Sequence, residues 1–386
     1  TFHQPQPFDL PGPDGPRSPE WIGAEIGRRA GVAQQAFDDK IWRAAMRRWD
    51  DEVKPAASSR HDQLASVDLD ELGIVKAAVW CQPQGLLSLA LHFLSQSHGL
   101  PDMAYLSAAG NTRFGKCPGE TTLTLMAQAA TRALERADLK RADIDGVLTA
   151  YSSTLPHFML ATLFSEYYGL QPRYCHALQV GGATGFAMVM LAARLVDAGE
   201  CDNILVVAGE NRLTGQSRDT AVQTLAQVGH ADFELPFGAT IPAYYGLVAS
   251  RYMHEFKVDG RELAELAVLM RRHASTHPDA QMREPITVDE VVNSKVIAAP
   301  LRLLDCCLIS DGGVAFVVSK QPRAGESIRI TGAAQAHTHQ HVSSAPSLTH
   351  FGAADSSKRA MQQAKITHAD VDYLAIYDSF TITLAI

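Results

Sequence analysis

The chain has 386 residues, 46% of them hydrophobic and 20% charged, and a net charge of −8, an ordinary globular composition long enough to bury one or two cores in two or three domains. A pI near 6.0 and the lack of any long basic run exclude a nucleic-acid backbone as partner. Six cysteines without a Cys-x-x-Cys pair, and no charged-then-apolar leader, predict reduced thiols in a cytoplasm; the longest apolar stretch, 185–195, is well short of the roughly 20 residues that cross a bilayer.

Residues 1–20 carry Pro5, Pro7, Pro11, Pro13, Pro16 and Pro19, a density that removes amide donors and predicts irregular chain. Apolar spacing predicts a helix over 22–50, a strand over 74–80 and a short helix over 86–98. At Met103 the texture changes, and residues 1–102 are set apart as an irregular, helical N-terminal extension. Two origins stay open for it: a fused segment, or upstream sequence joined to a natural start at Met103.

From there strands alternate with helices, the pattern of an α/β layered domain. The reading is strand 105–109, helix 122–137, strand 144–150, helix 161–168, strand 174–180, helix 183–198 and strand 204–208. A shift of 227 positions then superimposes Arg132-Ala133-x-x-x-Ala137 and Ala142-Asp143-Ile144-Asp145 on Arg359-Ala360-x-x-x-Ala364 and Ala369-Asp370-Val371-Asp372. The match preserves turn acids as well as an apolar face, which predicts a duplicated α/β architecture. In both copies the aspartate after the helix is expected to bond nearby backbone amides. The next strand is apolar on both faces, as a strand covered by helices on each side must be. The division expected is 103–320 for the first half and 321–386 for the start of an incomplete second half.

Several segments have the texture of a site. Gly181-Gly182-Ala183-Thr184-Gly185 lies between an apolar strand and a long helix. Pro300 to Cys307 leads into Ser310-Asp311-Gly312-Gly313, and Tyr377-Asp378-Ser379-Phe380 ends the repeated strand. With the duplicated halves and the strand-turn Asn203 to Glu210, these resemble the thiolase superfamily over about residues 103–386. Within it they are most similar to the branch of sterol-carrier-protein-x and lipid-transfer proteins, which includes acetyl-CoA acetyltransferase-like members.

The resemblance implies acyl-CoA chemistry with two altered positions. A thiolase acylates a cysteine at the N-terminus of the central helix, where amides and dipole favour a thiolate; this chain has Gly182 there. The amides of Gly181, Gly182, Ala183, Thr184 and Gly185 remain available in principle to hold a thioester oxygen, against the plainer reading that the glycines only permit a tight turn. Where the family places the first residue of an oxyanion hole, this chain has Tyr377, beside Asp378 and Ser379. A phenol with a reference pKa near 10 is then the acid/base candidate. The two changes together resemble the cysteine-less aldolases that shorten steroid side chains, in which retro-aldol cleavage of a β-hydroxyacyl-CoA needs a base and enolate stabilisation but no nucleophile.

Other residues are weaker. Tyr244 and Tyr245 open a segment that borders the acyl-CoA channel in related proteins, so Tyr245 is a second catalytic candidate, against a core-packing reading. Cys175, Cys306 and Cys307 read as packed thiols, and His337, His339 and His341 lack ligand-spaced partners, so no metal is expected. No phosphate-loop motif occurs, and coenzyme A is expected only as part of the substrate. The resemblance also implies a homodimer and a small OB-fold, zinc-ribbon partner. Counted by the repeat, the second half lacks a counterpart to the residues after Met159 in the first. Three functions stay open: cysteine-independent carbon–carbon cleavage, with thiolase-type acyl transfer as its enzymatic alternative; a non-catalytic acyl-CoA-binding or lipid-carrier subunit; and an inactive fragment.

Overall fold

A computed structural model describes residues 104–323 and 327–386, together with the backbone of 77–80 and 90–94; all of these fall within the unit 73–386. The irregular lead at 1–20 and the helix expected over 22–50 lie outside the described residues. The strand expected at 74–80 is present as β1 (Ala77–Trp80). Of the helix expected over 86–98, the described residues form instead a strand, β2 (Ala90–Leu94), which is the edge strand of the sheet and pairs antiparallel with residues 329–334. A short apolar run suits either state, and here a sheet edge supplies backbone partners.

From there the chain runs β3 (Tyr105–Asn111), α1 (Thr122–Ala137), β4 (Gly146–Ala150), α2 (Leu160–Tyr168), β5 (Tyr174–Leu178), α3 (Thr184–Asp197) and β6 (Asn203–Asn211). An excursion of α4 (Arg218–Ala226), α5 (Ile241–Phe256), α6 (Gly260–Thr276) and α7 (Val288–Asn293) comes next. It leads through the short pair β7 (Val296–Ala298) and β8 (Leu301–Arg302) into β9 (Asp311–Ser319). The chain ends with β10 (Ile328–Ala334), α8 (Ala353–Ala364), β11 (Tyr373–Ile376) and α9 (Thr381–Ala385). Seven strands form one mixed sheet in the order β2-β10-β3-β9-β6-β4-β5, and β1 pairs with β11 in a second sheet.

Alternating side chains of the central strands feed two cores, because successive residues of a strand face opposite ways. Ile204 and Val206 of β6 pack with Leu148 against Met188, Val189, Ala192 and Val196 of α3. Leu205 and Val207 pack with Val147 against Met126, Ala129, Ala130 and Ala133 of α1. Val147, Leu148, Ile204 and Leu205 are all fully buried, as the run of apolar residues predicts for a strand covered on both faces. Alanines and glycines let helix and sheet approach closely: a Cβ at Gly110 would strike the backbone of α1 at Ala129, and one at Gly332 would strike that of α8 at Ala360.

The repeat extends to local geometry. Both α1 and α8 end in a left-handed residue, Asp138 (φ 52°) and Lys365 (φ 57°), followed by matched amide bonds from Leu139 to the Leu134 carbonyl and from Ile366 to the Met361 carbonyl. The expected turn acids do what their type suggests: Asp143 accepts from the Lys140 amide at 2.8 Å and Asp370 from the Thr367 amide at 2.9 Å. The surroundings of the strands after these turns differ. β4 lies between β5 and β6 in parallel register, whereas β11 pairs in parallel with β1 and leaves Tyr373 and Leu374 half exposed.

Candidate active site

β5 delivers the chain to a turn whose geometry depends on Gly181, which adopts φ 64°, a left-handed conformation that favours glycine. One 3₁₀ turn, Gly181–Ala183, then opens α3. The Thr184 hydroxyl closes the turn, donating to the Gly181 carbonyl at 2.6 Å and accepting from the Val180 amide at 3.1 Å. Gly182 is outside the left-handed region, so backbone conformation does not demand glycine there. The plain turn reading therefore holds for Gly181 and not for Gly182. Gly182 and Gly185 are exposed while Ala183 and Thr184 are buried; three positions apart, the two glycines share one face. The N-cap residues Val180 and Ala183 give this helix start no side-chain cap, and the positive end of α3 lies behind it.

The second predicted segment follows β11. Tyr377 is 38% exposed, whereas Ser379 and Phe380 are buried. Two backbone links hold the loop: a bridge between Cys306 and Phe380, and a 3.0 Å bond from the Cys307 amide to the Ser379 carbonyl. From behind, the Tyr245 ring stacks on Phe380 with centroids 4.2 Å apart. Tyr245 is fully buried in an apolar cluster with Val248, Leu263 and Leu301, so its ring supports the Tyr377 loop as a core residue. Tyr244 is also buried, and burial followed by the Glu234 charge pushes its phenol up.

Polar groups in this loop are incompletely matched. The Ser379 hydroxyl is buried with no hydrogen-bond partner among the described residues, a costly condition for a polar atom. Burial pushes the Asp378 carboxyl up, opposed only by a backbone bond of its own residue. Protein atoms packed around the Cys307 sulfur push that thiol up, and the Asp378 charge adds to this, while the Arg212 guanidinium pulls it down.

Between these two segments lies a rim formed by the carboxyl ends of β5, β4 and β6, the region where ligands bind in open α/β sheets. After β4, the Tyr151 amide donates to the Leu178 carbonyl at 3.1 Å, next to the turn into α3. Ser152, Ser153 and Thr154 then surround the Glu210 carboxylate: the Ser152 and Thr154 hydroxyls donate at 3.0 and 2.7 Å, the Thr154 amide at 2.9 Å and the Ser153 amide at 3.1 Å. Arg212 completes the cage at 3.0 Å. Burial works against this carboxylate, yet the donors from Thr154, Ser153 and Arg212 prevail and hold it below the usual range. Arg212 also acts electrostatically on Tyr151 and Cys307. The rim thus passes from the start of α3, through Tyr151 and Arg212, to Cys307 and the Tyr377 loop.

A buried carboxylate fixes one end of the rim. Asp311 is fully buried and accepts from the amides of Cys117, Leu213 and Thr214 and from the Thr214 hydroxyl, at 2.7 to 3.1 Å. The sequence places Glu210 in a strand-turn and marks Asp311 in a site-like segment, but does not show the groups they gather. The available signal is the hydroxyl run Ser152-Ser153-Thr154 directly after a strand that pairs with β6.

None of the described thiols stands at the start of α3. Cys175 is in β5, its sulfur 3.6 Å from the Ser165 hydroxyl, and Cys201 is fully buried. Burial, with Asp305 and Cys307 beside it, pushes Cys306 up to about 12. Burial and then Asp311 also raise Cys117. Cys307 is exposed as a residue although protein atoms crowd its sulfur, so it is less enclosed than the packed thiol expected there. Among the described residues no cluster of three His, Cys, Asp or Glu side chains is placed to hold a metal, and no helix is long and apolar enough to cross a membrane.

Comparison with known proteins agrees with this geometry. Residues 104–322 match the family described as "Thiolase, N-terminal domain" and residues 334–386 the one described as "Thiolase C-terminal domain-like". The chain is 31% identical to the steroid side-chain-cleaving aldolase of Thermomonospora curvata over 73% of this chain and 75% of that protein. It is 30% identical to the acetyl-CoA acetyltransferase of Methanocaldococcus jannaschii, covering 71% of each. Its fold is similar to the solved Ltp2–ChsH2(DUF35) aldolase, with a TM-score of 0.63 and 28% identity over 74% of this chain and 75% of that one. The matched domains, the repeated halves and the strand-to-helix turn at Gly182 together place the chain in the thiolase family.

Proposed function

We propose that this protein cleaves a carbon–carbon bond in a β-hydroxyacyl-CoA by a retro-aldol reaction, without an acyl-enzyme. The observation that carries the proposal is a pairing: the start of α3, where the family's nucleophile belongs, presents Gly182 and no sulfur, while the loop after β11 presents a partly exposed tyrosine, Tyr377. In this reading Tyr377, as its phenolate, takes the proton from the β-hydroxyl as the bond between Cα and Cβ breaks, becoming the phenol that can give a proton back. The bonding pair moves into the thioester as an enolate, whose oxygen lies against the first-turn amides of α3 at Gly181 to Gly185. Return of a proton to Cα gives the shortened acyl-CoA, and the former hydroxyl carbon leaves as a ketone or aldehyde. Asp378 and Ser379 line the substrate side of the loop, and Tyr245 holds Phe380 behind it.

Coenzyme A enters as the handle of the substrate, and no further cofactor is required by these steps. We infer a homodimer from the family resemblance, and a small OB-fold, zinc-ribbon partner by analogy with Ltp2, which is paired with ChsH2(DUF35) in the solved aldolase. We infer a cytoplasmic setting from the unpaired thiols. The test incubates the full chain separately with a β-hydroxyacyl-CoA and with a β-ketoacyl-CoA plus free CoA. Release of ketone or aldehyde from the first supports the proposal. A new thioester from the second assigns acetyltransferase-type chemistry instead, and binding without either product assigns a carrier role.

A further inference from the structure

Outside the rim, the described surface carries a groove of ≈690 Å³ between the 113–116 turn and the segment 278–281, lined by Arg113, Lys116 and Arg132 with Asp279 and Gln281 opposite. Three cations and one acid face this space in a chain whose net charge is −8. Five described arginines, Arg173, Arg212, Arg251, Arg261 and Arg359, are each paired with a carboxylate, while others, such as Arg136, Arg194 and Arg302, donate to backbone carbonyls instead. Arg113, Lys116 and Arg132 make no ion pair among the described residues. Asp279, across the groove, accepts from the Asn111 side-chain amide at 3.4 Å.

The fold fixes the backbone that carries the cations. Gly115, between Arg113 and Lys116, exchanges two backbone bonds with Asp311, at 3.1 and 2.8 Å, and a nearby amide, that of Cys117, donates to the Asp311 carboxylate at 3.0 Å. Gly115 adopts φ 123°, so the turn is fixed in a conformation that other residues rarely take. Arg132 projects from α1, and one arm of its guanidinium donates to the Asn111 carbonyl. Its remaining N–H donors have no acceptor among the described residues. A guanidinium pinned at one arm, a second guanidinium and an ammonium around one concavity form the donor set that recognises tetrahedral oxyanions.

We propose that this groove is a binding site for a phosphate-bearing anion, with Arg113, Lys116 and Arg132 as its ligands. It does not rest on the reading of the Tyr377 loop. The test is calorimetric titration of the full chain with pyrophosphate and, separately, with adenosine 3′,5′-bisphosphate. Stoichiometric binding of both with equal affinity assigns the site to phosphate itself, and tighter binding of the nucleotide assigns it to a nucleotide phosphate. In either case affinity falls as salt rises, because exposed charges are screened. Arg113→Gln and Lys116→Gln, made singly at exposed positions, each weaken binding on the order of tenfold, the loss of one charge-assisted bond. Arg261→Gln, remote and paired with Asp289, leaves it unchanged. No binding by the native chain with a Kd below about 1 mM, or equal binding by all three variants, overturns the proposal.

Discussion

The two copies of the repeat each place a polar loop directly after the same strand, Tyr151 to Thr154 after β4 and Asp378 to Thr381 after β11, and the loops have opposite character. In the first, two hydroxyls, two amides and an arginine converge on Glu210. In the second, Thr381 keeps the equivalent bond to an acid, donating to Asp305 at 2.9 Å as Thr154 does to Glu210 at 2.7 Å. Two side chains of that loop are less well matched: Ser379, equivalent to Ser152, buries its hydroxyl without a partner among the described residues, and burial raises the Asp378 carboxyl. A satisfied network fixes structure, whereas unmatched buried polar groups are a standing cost that is retained where a ligand supplies the missing partner. The contrast fits the first loop as a support and is consistent with the proposal that the second takes part in the reaction.

Removing the proposed base is expected to have the largest effect. Tyr377→Phe should lower retro-aldol turnover about 10²- to 10⁴-fold, read as ketone or aldehyde released per unit time, with folding unchanged by circular dichroism. Undiminished turnover would remove Tyr377 from the mechanism. In the supporting loop the effect belongs to stability. Glu210→Ala strands several donors at once and should cost about 2–3 kcal/mol in urea unfolding. A value near zero would mean that the cage contributes nothing.

The turn into α3 allows a finer comparison. Gly181→Ala forces a Cβ into the left-handed region and should destabilise by about 1–2 kcal/mol. Gly182→Ala, exposed and outside that region, should cost less than about 1 kcal/mol. Equal costs would contradict the distinct backbone roles of the two glycines.

The two loops should also respond to pH with opposite sign. Asp378 has a folded pKa raised above its ordinary 3.8 by burial, so its contribution is fully present below that value and is lost as pH rises through the raised one. Asp378→Asn should therefore be more stable than the native chain at pH 7, the gap closing toward pH 3.8. Glu210, held below its ordinary 4.5 because its hydrogen bonds outweigh burial, contributes above 4.5 and loses that contribution as pH falls through the lowered value. Glu210→Gln should be the less stable partner at pH 7, and its deficit should shrink in acid. Stability curves of both variants from pH 3 to 7, moving in the same direction, would dissolve the contrast. The smallest effect is expected for Ser379→Ala, within about 0.5 kcal/mol because no hydrogen bond is lost, against about 1 kcal/mol for Ser152→Ala. A large loss at Ser379 would reveal a partner there.

Much of this is legible in the residues themselves. Turn acids and apolar spacing recur at a shift of 227 positions, and both are local properties, so the doubled α/β pattern and the matched turns after Asp138 and Lys365 can be anticipated. Gly182 and Tyr377 are likewise visible, because a missing sulfur or a gained phenol is a matter of composition at one position. Residues 90–94 have helical spacing and fold as strand, since their state depends on a backbone partner in β10 more than 200 positions away. Tyr245 carries no sequence mark that separates a ligand contact from the ring that stacks on Phe380.

By itself, then, the sequence determined the family architecture and the two altered positions, through periodicity, turn chemistry and residue identity, which act over a few residues. Only the tertiary structure decided which polar loop is satisfied, which glycine the backbone needs, and which arginines lack a carboxylate. Each of those depends on groups that are far apart in the chain and meet only when the strands are set side by side, where burial makes an unmatched polar atom count.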